Sequence, residues 1–124
     1  LLTIVGKTAK SGHTRYIPLN DEAFAVLVSW RNQSNSKSWV FPSPATGERM
    51  DNITSSWKNL ITDSRIIDFR FHDLRHHFAS KLVMAKVDIN TVRELLGHKD
   101  IQTTLRYAHL APKHKAAAVA LLNT

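Results

Sequence analysis

The sequence predicts a mainly α-helical fold with a small antiparallel β-hairpin at one edge. Three features carry that expectation. Two short β-rich segments flank a Ser11-Gly12 turn, apolar residues recur at three- and four-residue spacing through much of the remainder, and helix-capping residues recur up to an alanine-rich end. A chain of 124 residues is long enough for one core, so a single domain is the expectation.

The hairpin joins Leu1 to Val5 with Thr14 to Leu19, with Lys7 and Lys10 near its turn. Asn20 is placed to cap a helix with Asp21 and Glu22 in its first turn and an apolar interior from Phe24 to Trp30, and Asn32 to Lys37 then read as loop. Pro42, Pro44 and Gly47 break any helix in the next stretch. A helix over Asn52 to Asp63 follows, with Ile53, Trp57, Leu60 and Ile61 on one face expected in the core.

From His72 to Ala85, the stripe Leu74, Phe78, Leu82 and Ala85 is expected to pack, while His72, Arg75 and Ala79 share an adjoining, presented face. Asp88 or Asn90 starts a short helix that Gly97 ends in a left-handed conformation, throwing His98 out beyond it. Asp100 caps a helix leading to Tyr107, and Pro112 opens a last helix through Leu122. Trp30, Trp39 and Trp57 are expected in the core.

Lys and Arg outnumber Asp and Glu by 17 to 10, a net charge of +7, which points to a polyanion such as nucleic acid but fits a merely basic protein equally well. The absence of cysteine excludes a disulfide framework and a thiolate zinc site, and suits the interior of a cell. No apolar run is long enough to cross a bilayer, so no membrane partner is expected, and Leu1 to Val5 lack the features of a signal peptide. The chain starts without Met inside an apolar alternating segment, so residues of the same domain are expected upstream.

Three segments stand in a fixed order: His72-Asp73-Leu74-Arg75-His76-His77-Phe78-Ala79, Leu95-Leu96-Gly97-His98, and Thr104-Leu105-Arg106-Tyr107. In order and spacing they resemble the C-terminal signature segments of the tyrosine recombinases of the phage-integrase type. Lys10-Ser11-Gly12 with Arg15-Tyr16-Ile17-Pro18-Leu19 is similar to that family's hairpin bearing a catalytic lysine. The resemblance implies that residues 1–124 are the C-terminal part of one catalytic domain, with an upstream portion and an N-terminal DNA-binding domain expected outside them. It implies the recombinase catalytic fold, double-stranded DNA as partner, a tetramer of copies on that DNA, an exchanged C-terminal segment, and the cytoplasm of a bacterial or phage-infected cell.

Carried over by motif, the catalytic set is Lys10, His72, Arg75, His98 and Tyr107. The family's first arginine lies on a helix before the hairpin, ahead of the point where this sequence begins. The implied reaction is site-specific DNA recombination and integration through a 3′-phosphotyrosyl intermediate, with no cofactor and no metal. A non-catalytic DNA-binding remnant and a type IB topoisomerase-like enzyme are the alternatives. The short spacing from Leu96-Gly97-His98 to Tyr107 favours the recombinase.

The chemistry asks for these residue types. Conserving the energy of the broken bond requires a covalent intermediate, which a tyrosine oxygen can form. With no carboxylate cluster for Mg²⁺, the planar fork of Arg75 is suited to the phosphoryl charge, and His98 can add a hydrogen bond. A phenol with an ordinary pKa near 10 needs a neighbour to take its proton, a role the resemblance gives to His72, and the departing 5′ oxygen needs a proton that Lys10 can supply, with Lys7 as competitor.

Taken singly, each residue has a plainer reading: Tyr107 as packing, Arg75 as a salt-bridging helix residue, His72 as a cap, His98 at a helix's negative end, Lys10 as a solvated turn residue. Their joint placement favours chemistry. His72 and His76 have the spacing of two metal ligands, but the Glu of a zinc-hydrolase motif and a third ligand are lacking. His13, His77, His109 and His114 are expected at most on phosphate or at the surface.

Overall fold

The computed structural model describes residues 1–113 and 115–123. Its elements in chain order are β1 (Leu2–Ile4), β2 (Arg15–Ile17), α1 (Asp21–Gln33), α2 (Thr54–Asp63), α3 (Asp73–Met84), α4 (Ile89–Leu96), α5 (Ile101–Leu105) and α6 (Lys115–Ala120), with a 3-10 turn at Ala108–Leu110. They group into two compact units: Leu1–Val5 with Thr14–Phe69, and Gly6–His13 with Arg70–Thr124. No helix among the described residues is long and apolar enough to cross a membrane.

In the first unit β1 and β2 pair antiparallel, with Leu2 opposite Ile17 and Ile4 opposite Arg15, as the alternating segments predict. Asn20 caps α1 by accepting from the Ala23 N–H at 2.9 Å. The helix runs through Asn32 and Gln33, which the sequence assigns to loop. Gln33 Nε2 donates to Ser29 Oγ one turn earlier at 3.1 Å, and that bond accompanies the added turn. Helix α2 starts at Thr54 rather than Asn52, because Asn52 stays outside and accepts from the Thr54 N–H at 2.7 Å.

The apolar residues of this unit are less covered than their spacing suggests. Trp57 and Ile61 of α2 are half-buried, while Ile53, just before the helix, and Leu60 are exposed. Trp30 and Trp39, expected in the core, are exposed as well. The indole N–H of Trp30 donates to the Val40 carbonyl and its ring lies 6.1 Å from that of Phe41, so its partner is a loop rather than a core.

The second unit has a defined core of Ala79, Val83, Val92, Leu96 and Tyr107, with Leu82, Val87, Ile89 and Leu110 packed around it. Full burial of each valine stabilises by about 1.5–3 kcal/mol. Here the expected faces of α3 hold only in part: Leu82 packs on the core and His72 is exposed, as the spacing suggests, while other positions differ. Ala79, placed on the presented face by the sequence, is fully buried, whereas Leu74 and Phe78 remain 45% and 44% exposed. The α3–α4 contact runs through Ala79 and Val83, one turn apart, because small and β-branched side chains let the two helices approach.

The caps of this unit follow the sequence. Asp88 Oδ1 accepts from the N–H groups of Asn90 and Thr91, each at 3.0 Å, and starts α4. Gly97 ends it at φ 71°, in the left-handed region. Asp100 accepts from the Gln102 N–H at 2.9 Å and starts α5. The last helix begins at Lys115 rather than Pro112, and His114 lies outside the described residues.

Candidate active site

The second unit contains every residue singled out for chemistry. Arg75, on the first turn of α3, donates from Nη2 to the carbonyl of Leu96 at the end of α4. That bond fixes the guanidinium stem beside the left-handed turn at Gly97, from which His98 emerges. His98 Nδ1 stands 2.8 Å from Thr104 Oγ1, and Thr104 is fully buried in the short helix α5. Arg93 Nη1 donates to the His98 carbonyl at 3.2 Å, holding its backbone as well.

Tyr107 follows α5 and is only 6% exposed. Its N–H donates to the Thr104 carbonyl at 3.0 Å, so the chain that positions the tyrosine is the chain that positions the His98 partner. The Tyr107 hydroxyl lies 2.6 Å from Nδ1 of His76. The rings of His76 and Tyr107 are 5.9 Å apart, and His72 sets its ring edge-on to that of His76 at 5.0 Å. Tyr107, His76 and His72 thus form a row, with His76 between the other two.

Asp73 lies beside this row. Its carboxylate accepts from the Arg70 N–H at 2.8 Å, and that bond does most to hold it below the ordinary carboxylate range, with the Arg70 side chain and the charge of His76 acting in the same direction. Lys10 occupies the turn segment Gly6–His13, which belongs to the same unit as the signature residues. Lys7 and Lys10 are both exposed there.

Charge is divided unevenly between the two units. Residues 6–13 and 70–124 hold eleven Lys and Arg against four Asp and Glu, while residues 1–5 and 14–69 hold six against six. All of the +7 excess therefore belongs to the unit that carries the candidate site. Among the described residues no group of three His, Asp or Glu stands where it could hold a metal ion.

Two residues of the site gained no such role from the sequence. His76 was visible there only as a metal-spaced companion of His72, although its place four residues along the same helix face was the usable signal. Thr104 is a polar residue on the inward side of a short helix, six after His98 and three before Tyr107. His13, His77 and His109 are exposed.

The model of the phage integrase family matches residues 1–114. The chain belongs to the phage integrase family. Among its relatives in that family, the integrase of Salmonella phage P22 is 37% identical over 118 residues, covering 86% of this chain and 30% of that protein. The tyrosine recombinase XerC of Xanthomonas axonopodis pv. citri is 37% identical over 120 residues, covering 94% of this chain and 38% of that protein. The catalytic domain of bacteriophage HP1 integrase superposes with a TM-score of 0.64 at 31% identity, over 91% of this chain and 61% of that one. The fold is that of the tyrosine recombinase catalytic domain. The chain spans about a third of the length of the two curated relatives described here.

Proposed function

We propose that this chain carries the strand-cleaving centre of a site-specific DNA recombinase. Tyr107 attacks a backbone phosphorus, a 3′-phosphotyrosyl bond forms, and the 5′ oxygen leaves with a proton from Lys10. Arg75 and His98 stabilise charge on the phosphoryl oxygens. Family resemblance assigns the Tyr107 proton to His72 and supplies the 3′ polarity. Reversal of the same steps with another strand's 5′ hydroxyl rejoins the DNA, so no high-energy cofactor is required.

The observation that carries this reading is the linked set of side chains in one unit. Arg75 bonds to Leu96, His98 to Thr104 and Tyr107 to His76, so the three signature segments are tied to one another. The concentration of the whole net positive charge in that unit supports a duplex DNA partner. The exposed Val119, Leu121 and Leu122 at the C-terminal end support assembly with further copies, as the family tetramer requires. We place the reaction in the cytoplasm, where bacterial and phage DNA is found.

The test is Tyr107→Phe in the full-length protein, which removes one oxygen and little packing. A covalent protein–DNA adduct on a denaturing gel is expected from the parent and not from the variant, while duplex binding stays within about twofold. An adduct formed by the Phe variant would remove Tyr107 as nucleophile. Duplex binding without any adduct from the parent would leave a DNA-binding module.

A further inference from the structure

We infer that His76 is a catalytic residue of strand cleavage: its Nδ1 receives the proton of the Tyr107 hydroxyl as the phenolic oxygen bonds to phosphorus. This inference rests on the reading of Tyr107 as nucleophile and changes which imidazole serves it. Family resemblance points to His72, but the nitrogen on the hydroxyl belongs to His76, at 2.6 Å. His72 touches that imidazole at its edge, ring to ring at 5.0 Å, one step further from the reacting oxygen.

The separation is at the short end for a hydrogen bond between nitrogen and oxygen, and it joins residues 31 apart in sequence. A phenol is a weak nucleophile while protonated. A neutral imidazole has one nitrogen free to accept and is the side chain best matched to proton transfer near neutral pH. For Nδ1 to accept from the hydroxyl, the imidazole must carry its own proton on Nε2. The small exposure of Tyr107 leaves little water to take the proton instead. Asp73, three residues earlier on α3, is an anion whose charge interacts favourably with that of His76, so the imidazolium formed by the transfer has a counter-charge on its own helix.

The step balances. The Oη–H bond breaks, the proton goes to Nδ1, the oxygen's electron pair forms the bond to phosphorus, and the bond from phosphorus to the 5′ oxygen breaks as that oxygen takes a proton from Lys10. On rejoining, a 5′ hydroxyl gives its proton back to the Lys10 amine and attacks, the phenolate is expelled, and Nδ1 returns the proton to it. His72, freed of that role, lies at the start of α3 with its side chain exposed, where a phosphate could reach it.

The experiment measures the rate of covalent adduct formation on a nicked suicide duplex by the full-length protein and its His76→Ala, His76→Asn and His72→Asn variants. Asn puts an amide group near the position of Nδ1, so it can hold the hydroxyl but cannot take its proton, and its size keeps the comparison usable if Ala disturbs the fold. Both His76 variants are expected to lose about 10²–10⁴-fold. Each protein is then made with a fluorinated tyrosine at position 107, whose phenol ionises more readily at almost unchanged volume. The deficit of His76→Asn is expected to shrink about tenfold or more on that phenol, and that of His72→Asn to stay constant. A His76→Asn rate equal to the parent's, a deficit of equal size on both phenols, or a shrinking deficit for His72→Asn instead would overturn the inference while leaving Tyr107 as nucleophile. An adduct from Tyr107→Phe would remove both.

Discussion

His98 Nδ1 and the hydroxyl of Thr104 stand 2.8 Å apart, so an imidazole thrown beyond a left-handed glycine is anchored to a side chain with no exposed surface. Gly97 frees the backbone to turn, and Thr104 then fixes the ring that the turn releases.

Thr104→Val keeps the shape of the buried side chain and deletes that anchor. A neutral hydrogen bond is worth about 1 kcal/mol, so cleavage is expected to slow roughly fivefold through loss of His98 orientation. Thr104→Ser, which keeps the hydroxyl, is expected to cleave close to the parent rate. Single-turnover adduct formation at saturating protein reads the difference, and equal rates for the Val and Ser variants would mean that the contact only packs.

Asp88 links the fold to pH. Hydrogen bonds, first from the Thr91 hydroxyl and then from the Thr91 backbone N–H, hold its carboxyl below the ordinary value. A carboxyl depressed in the folded state stabilises fully above its unfolded pKa, and that contribution is lost as pH falls through the folded one. Asp88→Ala is therefore expected to melt below the parent at neutral pH, with the gap closing once the medium is more acidic than an ordinary aspartate's pKa. Thermal melts by circular dichroism across that range check it, and a gap that widens in acid would contradict the capping account.

The elements that were legible in the sequence are those decided locally. Asp88, Gly97 and Asp100 each act on backbone within four residues of themselves, so their identity alone reports the helix ends. The faces of α3 were legible only in part, at Leu82 and His72, because size favoured Leu74 and Phe78 while the approach of α4 selected Ala79 and Val83. The same holds at the site. Arg75, His98 and Tyr107 were recognisable from motif spacing, but the contact of His76 with Tyr107 depends on how α3 meets the turn after α5, which no local pattern encodes.

Cleavage is expected to proceed undiminished in EDTA. In the proposed mechanism, the roles a divalent ion would fill, neutralising phosphoryl charge and lowering the barrier to attack, fall to Arg75, His98 and the imidazole of His76. Adduct yield with and without chelator is the measurement. A loss restored by Zn²⁺ or Mg²⁺ would return the paired His72 and His76 to a metal-binding role.

Helix α6 and the residues after it leave Val119, Leu121 and Leu122 largely exposed. Truncation after Ala111 is expected to weaken assembly of several copies on DNA more than binding to a single half-site. Gel mobility on one-site and two-site duplexes separates the two effects. An equal loss on both would place the segment in the core of its own subunit.

Lys10, the proposed acid, lies exposed in the turn segment Gly6–His13. A phosphodiester cut by a phenol must expel an alkoxide, a poor leaving group unless a proton arrives as the bond breaks. A lysine can supply it when nearby cations or closure against DNA lower its pKa, and its long stem suits a swing toward the leaving oxygen. Lys10→Ala is therefore expected to cripple cleavage of ordinary DNA, by about 10²–10⁴-fold. Sulfur in place of the bridging 5′ oxygen gives a leaving group that needs no proton, so on that substrate the same variant should cleave near the parent rate. Lys7→Ala, expected to meet only the DNA backbone, should show a small binding defect of equal size on both substrates. Rescue of Lys7→Ala by sulfur, with Lys10→Ala left impaired, would make Lys7 the acid.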